Sequence, residues 1–367
     1  MMKKICTVVG ARPQFIKLAM VSRVLRQEFQ EVVIHTGQHY DYNMSDVFFE
    51  TMHIPKPQYN LGICGGTHGQ MTGKMLIEIE KVLLLERPDM VLVFGDTNST
   101  MAAALAAVKL HIPVCHVEAG ARLGTLMNPE EVNRIVTDHV SSLHLVCTSS
   151  GIEFLKKEGF SKTVHLVGDP MYDAFRFYTS ELNGNELYTI LGLDGDSIQI
   201  PKEFYYLTCH RQENTDIPKK LQNILDAMES LDSPTIYPVH PRNRKVAQEL
   251  SAQRGYHNII LVQPVSYQIS IALVNHAKKI VTDSGGVQRE AFFAKKQCVT
   301  VMDHVCWPET MINDCNQLAH PDKMDILQKL NHKIDFKSDY QPFGDGHSSE
   351  KIVDIIKEFF NKRELDV

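Results

Sequence analysis

The stretch "VVGARPQFIK" (residues 8–17) sets the reading of the whole chain. Two valines run into Gly10, and Arg12, Pro13 and Lys17 follow at once. A short apolar run that stops on a glycine and gives way to polar residues predicts a strand turning into a helix. Cations at such a turn point to an anion, because a helix N-terminus already favours negative charge; phosphate is the first candidate.

The same grammar recurs along the chain. In the first half the runs are "KKICTVVG", "EVVIHTGQ", "DMVLVFGD", "PVCHVEAG", "LHLVCTSS" and "VHLVGDP"; in the second they are "FYYLTCH", "TIYPVHP", "IILVQPV", "KKIVTDSGG" and "QCVTVM". Helical spacing lies between most of them, as from Gln70 to Glu86. Continuous apolar strands alternating with helices mean parallel sheets covered on both faces. The expected fold is therefore α/β, with two Rossmann-like doubly wound domains. Strand signals lapse between Asp169 and Pro201, where Gly, Asn and Asp gather over 183–197. This gives an N-terminal domain over 1–175 and a C-terminal domain over 176–348. The last helix, Ser349 to Lys362 after "PFGDGHSS", is expected to return to the first domain, so that 349–367 joins it.

Composition narrows the class. A chain of 367 residues is long for one core, and 43% hydrophobic with 22% charged residues is ordinary for a soluble globular protein. A formal net charge of −6 argues against general binding to nucleic acid or an anionic membrane, so a phosphate must be held by local cations. The eight cysteines stand singly in apolar runs without metal-ligand spacing, and the opening "MMKKICTVVG" has no signal-peptide core. The expectation is a cytoplasmic protein with reduced thiols and no transmembrane helix.

In open α/β sheets ligands sit beyond the carboxyl ends of the strands, so the residues ending each run are the candidates. The first half offers Arg12 and Lys17; Gln38 and His39; Asp96, Asn98 and Ser99; His116 and Glu118. The second offers His210, Arg211 and Glu213; His240 and Arg242; and Asp283 to Gly286. In "TDSGGVQREA" (282–291), Ser284, Gly285 and Gly286 would present amides and a hydroxyl to phosphate, or the glycines would serve only a tight turn. Glu290, further along that helix, suits a ribose or is simply solvated. In "PEEVNR" (129–134) the acidic residues fit a capped first turn; alternatively Glu131 is a general acid or base held by Arg134, which shares its face at i, i+3. His210 with Arg211 and Glu213 reads as a proton donor or phosphate contact.

Other signatures fail. No GxGxxG follows a strand, and "GGTHGQMTGK" has the wrong spacing for a P-loop, with Met75 where a magnesium-binding hydroxyl would stand. Neither GxSxG nor HExxH occurs.

Taken together, "GARPQFIK", "HTGQHYDYNMS", "GDTNST", "HVEAG", "PEEVNR", "HRQEN", "TDSGGVQREA" and "YQPFGDGHSSEKI" resemble the non-hydrolysing UDP-N-acetylglucosamine 2-epimerases, in order and from about residue 5 to 357. The resemblance implies a GT-B-type fold with the nucleotide sugar in a cleft between the domains, an isomerase without cofactor or metal, and a homodimer. It also implies elimination of UDP from C1 with loss of the C2 proton, then re-addition across a 2-acetamidoglucal. On that resemblance Asp96, Glu118 and Glu131 look like the acid/base group, with Arg134 orienting them. Arg12, Lys17 and His210 look like diphosphate contacts, Ser284, Gly285 and Gly286 the phosphate cradle, and Glu290 the ribose ligand; Gln38 and Arg211 join the substrate-binding set.

The chain departs from the family's pattern in three places. Met302, Val305 and Cys306 stand where an arginine and a Thr-Glu pair are usual. "ARLGTLMNPEE" lacks an aromatic and a second arginine. Asp41 and His68 occupy the neighbourhood through which relatives bind an activating second UDP-sugar, so weak or absent activation is expected. Parts of the sequence look closer to the branch acting on UDP-2,3-diacetamido-2,3-dideoxy-glucuronate, whose extra charge calls for a cation such as Arg122, Arg211 or Arg242. A GT-B glycosyltransferase, a UDP-sugar-binding regulatory protein and a hydrolysing variant are the other readings.

Overall fold

The computed structural model describes residues 2–38, 46–182, 189–305, 307–336 and 339–365. His39, Asp41 and Cys306, singled out above, lie outside the described residues. The chain divides into two compact units, Met1–Arg176 with Gln341–Val367, and Phe177–Tyr340.

In the first unit the strands are β1 (Lys4–Val9), β2 (Gln30–His35), β3 (Tyr59–Asn60), β4 (Met90–Phe94), β5 (Val114–Val117), β6 (Leu143–Val146) and β7 (Val164–Leu166). All pair in parallel, in the order β3-β2-β1-β4-β5-β6-β7. The helices are α1 (Arg12–Glu28), α2 (Asp46–Thr51), α3 (His68–Glu86), α4 (Asn98–Lys109), α5 (Pro129–Val140), α6 (Ser149–Lys157) and α7 (Pro170–Glu181). Every residue of β4, "MVLVF", is buried, as a central parallel strand covered on both faces requires. Against it lies the alanine face of α4, where Ala102, Ala103, Ala106 and Ala107 are buried with Val91 and Val93. Each valine removed from water there contributes about 1.5–3 kcal/mol.

The second unit contains a small antiparallel pair, β8 (Ile190–Leu191) and β9 (Ser197–Ile198). Its main strands are β10 (Tyr205–Thr208), β11 (Thr235–Pro238), β12 (Ile259–Val262), β13 (Ile280–Thr282), β14 (Cys298–Val301) and β15 (Asn316–Ala319). They are parallel in the order β12-β11-β10-β13-β14-β15. Its helices are α8 (Gln212–Thr215), α9 (Pro218–Glu229), α10 (Arg244–Arg254), α11 (Tyr267–His276), α12 (Gly285–Phe293) and α13 (Lys323–Asn331). Each unit is a doubly wound sheet.

The division falls inside α7, between Arg176 and Phe177, ahead of the Gly/Asn/Asp-rich stretch. The chain rejoins the first unit at Gln341, before the expected 349. The reason is local: Phe343 is buried, its carbonyl accepts the Asp169 amide at 2.9 Å, and Gly344 packs on Gly168. The last helix, α14 (Ser348–Leu365), then packs on the first unit, with Phe360 5.8 Å from Phe29 between ring centroids.

Strand order also defines where each sheet reverses direction of growth: between β1 and β4 in the first unit, and between β10 and β13 in the second. Crevices at such switch points are where open α/β sheets bind ligands.

Candidate active site

At the first switch point the turn after β1 is closed from within. Gln14 Oε1 accepts the amides of Gly10 and Ala11 at 2.8 and 3.0 Å, and its Nε2 donates to the Phe94 carbonyl at 2.8 Å, tying α1 to the end of β4. Gly10 is glycine for steric reasons, since a Cβ would overlap Thr36 Oγ1 and Ser99 Oγ. The Arg12 guanidinium lies 5.1 Å from the Phe48 ring centroid, a cation–π arrangement that holds it near the turn. Lys17, expected beside a diphosphate, is buried and forms an ion pair with Glu118. Gly95 is next to that pair: a Cβ there would be 3.6 Å from Lys17 Nζ and 3.8 Å from Glu118 Oε2. Glu118 itself has φ +71°, a left-handed backbone that costs a side-chain-bearing residue about 1–2 kcal/mol. Such strain concentrates at functional sites. Gln38, half-buried, accepts from Ser99 Oγ at 3.0 Å.

The carboxylates meet on α5. The helix is capped by Asn128, whose side chain accepts the amides of Glu130 and Glu131 at 2.9 and 3.4 Å. Glu131 is thereby released from capping. Its Oε1 accepts the amides of Leu123 and Gly124 at 2.8 and 2.9 Å, and its Oε2 accepts from Arg134 Nη1 at 2.7 Å. The second amino group of Arg134 pairs with Asp96. Burial alone would lower the Arg134 pKa, but Asp96 and Glu131 outweigh it and leave it raised. Asn133 Nδ2 donates to the Asp96 carbonyl at 2.9 Å. The first unit thus brings together Asp96, Glu131 and Arg134, with Lys17 and Glu118 beside Gly95. Of the three carboxylates Asp96 is the most open, its side chain 32% exposed against 12% for Glu118 and 2% for Glu131.

Arg122 is committed elsewhere: it pairs with Asp138 at 2.7 Å and doubly with Glu158 at 2.7 and 2.8 Å. A charge so engaged is not available to a substrate uronate.

At the second switch point Asp283 is the organising group. Buried at the end of β13, it accepts the backbone amides of His210 and Arg211 at 2.9 and 2.8 Å and pairs with His210 Nδ1 at 3.0 Å. Burial pushes the Asp283 pKa up; the bond and charge of His210, with the two amides, outweigh it and hold it at about 2. His210 is thereby oriented with Nε2 left for another partner, as an acid-held imidazole is in proton-transfer sites. The His240 ring stacks on it at 6.1 Å between centroids, and Arg242 donates to the His210 carbonyl. Arg211 Nε donates to the Asp283 carbonyl at 2.8 Å.

Next in the chain, Ser284 caps α12, accepting the Val287 amide at 3.4 Å. Neither Gly285 nor Gly286 is among the positive-φ glycines, so the tight-turn explanation does not account for them. A Cβ on Gly286 would meet only Ser284 Oγ, at 3.6 Å, which leaves room for a ligand to approach the helix terminus. Glu290 is buried on the same helix.

Sequence reasoning names Asp283 among the strand-end groups without giving it a role, and it passes over two neighbours of the site, Asn133 and Arg289. Arg289 stacks over Trp307 at 4.2 Å, so an arginine neighbours the segment that contains buried Met302; nothing in the local pattern signals that. Among the described residues no group of three or more His, Cys, Asp or Glu could hold a metal ion, and no helix is long and apolar enough to cross a membrane.

Paired Rossmann-like domains with charged groups at both switch points make this a GT-B-type protein. Residues 23–357 match the family described as UDP-N-acetylglucosamine 2-epimerase, and the chain belongs to that family. It is 46% identical over 359 residues to a UDP-N-acetylglucosamine 2-epimerase homolog of Methanococcus maripaludis, covering 96% of this chain and 99% of the relative. It is 42% identical over 363 residues to UDP-2,3-diacetamido-2,3-dideoxy-D-glucuronate 2-epimerase of Pseudomonas aeruginosa, covering 96% and 99%. The crystal structure of Methanocaldococcus jannaschii UDP-GlcNAc 2-epimerase in complex with UDP-GlcNAc and UDP matches with a TM-score of 0.86 at 38% identity, covering 97% of this chain and 99% of that one.

Proposed function

We propose that the chain interconverts UDP-N-acetylglucosamine and UDP-N-acetylmannosamine by inverting C2 of the sugar. The C2 proton has no adjacent carbonyl to acidify it, so it is lost as the C1–O bond breaks. The C–H electron pair becomes the C1–C2 double bond of 2-acetamidoglucal, and the C1–O pair leaves with UDP. Protonation of C2 on the opposite face and return of the UDP oxygen to C1 restore a UDP-sugar, so atoms and charge balance with no added reagent.

The observation that carries this reading is Arg134 held between Asp96 and Glu131, next to the Lys17–Glu118 pair. Asp96 and Glu118 are the proton carriers at C2, and Glu131 is the acid/base set's anchor through Arg134. Arg12, His210 and the Ser284–Gly286 terminus hold the diphosphate, which leaves as an anion and needs donors that are already in place. Arg211 and Gln38 complete the binding set, and Glu290 takes the ribose. The test is to incubate the protein with UDP-N-acetylglucosamine in deuterated water and follow C2 by NMR. Deuterium at C2 with no acceptor present is expected; an inert C2 would exclude the reaction.

The diacetamido-uronate is the second reading, favoured by the 42% identity to the Pseudomonas relative. With Arg122 engaged, Arg211 and Arg242 are the cations left for its carboxylate, and the same exchange assay on that sugar nucleotide decides. The proposal extends to a cytoplasmic enzyme of surface-polysaccharide precursor synthesis. It also extends to a homodimer, supported by Ile77, Leu84 and Leu85 exposed together on α3 and tested by sedimentation.

A further inference from the structure

His116 is a strand-end group of the first sheet that the reaction above does not use. It lies in β5, two residues before Glu118, and is completely buried. Its Nε2 is 2.7 Å from the carbonyl oxygen of Gly95, and its Nδ1 is 2.6 Å from Asp138 Oδ1. A carbonyl only accepts hydrogen bonds, and so does an ionised carboxylate. Asp138 lies against the permanent cation Arg122, which favours its ionised form against the cost of burial. Its Oδ2 is occupied by Arg122 Nη1 at 2.7 Å and the Gly120 amide at 3.1 Å. Both ring nitrogens of His116 must therefore carry a proton.

The charged groups around the ring are consistent with a cation there. Arg122 balances Glu158 with two bonds, and His139 also faces Glu158 at 3.1 Å. From β6, His144 presents Nε2 to the Asp138 carbonyl at 2.7 Å, and burial lowers its pKa. The His116–Asp138 pair is then a buried ion pair whose remaining acceptors are all filled, the condition under which such pairs hold geometry.

What it holds is the turn that carries Asp96. Gly95 has φ +62° and its amide donates to the Val117 carbonyl at 2.9 Å. His116 fixes the Gly95 carbonyl, Asn133 fixes the Asp96 carbonyl, and Arg134 fixes the Asp96 carboxylate. Thr97 then caps α4. In this set the His116 ring is the side chain that comes from the neighbouring strand, β5.

We propose that His116 is a positioning residue of the C2 epimerisation: as an imidazolium it clamps Gly95 and sets the orientation of Asp96, without touching substrate. This rests on the reaction proposed above. It separates into two measurements. Neutron diffraction from crystals of the deuterated full-length protein at neutral pD should show deuterons on both nitrogens of His116; a bare nitrogen overturns the proposal whatever the enzyme catalyses.

The second measurement compares wild type, His116→Gln and Asp138→Asn for C2 exchange, with UDP affinity by calorimetry as a check on folding. Each variant should lose roughly 100-fold in kcat, the order expected when a reacting group is misplaced by about 1 Å. KM and UDP Kd should stay within about threefold, because only the transition-state geometry is affected. A folded His116→Gln that keeps wild-type kcat, or one whose loss is entirely in KM, overturns the proposal. Should a variant fail to fold, the neutron result decides alone. An inert wild type would reject the reaction itself, and the proposal with it, while the protonation state would still be read.

Discussion

Glu131 Oε2 and Arg134 Nη1 are 2.7 Å apart, and this contact gives the Glu131 carboxylate its third donor. Its other oxygen already accepts two backbone amides, from Leu123 and Gly124. The three donors hold the carboxylate in place, and its side chain is shut away from solvent. Asp96, on the other side of the same guanidinium, is more open. In the proposed reaction the two acids accordingly take different parts, Glu131 positioning and Asp96 exchanging protons.

Asp96→Asn should cut C2 exchange by about 10²–10⁴-fold, the usual worth of a general acid or base. Glu131→Gln should also slow exchange, through displacement of Arg134. Calorimetry should find UDP affinity within a few-fold of wild type for both. A matching loss of UDP affinity in either variant would reassign that residue to nucleotide binding.

Lys17 and Glu118 make a second separable unit. Both side chains are largely buried, so removing one partner strands a charge, at a cost of about 3–5 kcal/mol. Lys17→Met and Glu118→Gln should each destabilise the protein, and the double variant should recover much of the loss. Chemical denaturation of the four proteins measures the coupling. Additive losses would show that the two charges do not depend on each other.

The fold was legible because most of its strands are predominantly apolar runs, as strands of a parallel sheet covered on both faces are. The exceptions have physical causes. In β15, "NQLA", polar Asn316 and Gln317 sit at the edge of a sheet, and the two-residue β3, β8 and β9 are too short to show any period. The strand-end rule singled out Asp96, Glu118, His210 and Ser284, which the fold puts at its two switch points, and spacing anticipated the Glu131–Arg134 contact. It did not find which charge meets which across the sheet: Lys17 with Glu118, Arg122 with Glu158, His116 with Asp138. Those pairings come from neighbouring strands and helices far apart in sequence, and no local pattern encodes them.

Asp283 should leave a mark on acid stability. Its pKa falls from an ordinary 3.8 to about 2 in the fold. A depressed carboxylate stabilises the folded state above its unfolded pKa, and that contribution is lost as pH falls through the folded value. The shift corresponds to roughly 2 kcal/mol, present above about pH 4 and fading towards pH 2. Comparing wild type with Asp283→Asn by denaturation across that range should show the difference shrinking as pH drops. A difference that stays constant would mean that Asp283 contributes by packing alone. At neutral pH the same variant should weaken UDP binding, since His210 loses the negative charge it pairs with.

Asp173 fixes the returning chain. Its carboxylate accepts the amides of Ser348 and Ser349 at 3.0 and 2.7 Å and the Ser349 hydroxyl at 2.7 Å, closing the first turn of α14. Burial outweighs these bonds and raises its pKa, so its contribution is complete below the unfolded value and diminishes as pH rises through the folded one. The carboxylate is retained because the alternative is worse: Asp173→Ala would leave buried amides without acceptors, at a cost of about 1–3 kcal/mol. The effect should be local. Hydrogen exchange should accelerate in the first turns of α14, around Ser348 to Ile352, while amides of β10 and β13 in the other unit keep their protection. Uniform loss of protection across both units would show that the cap supports the whole molecule, and unchanged exchange in α14 would show that packing of Phe360 on Phe29 holds the helix without it.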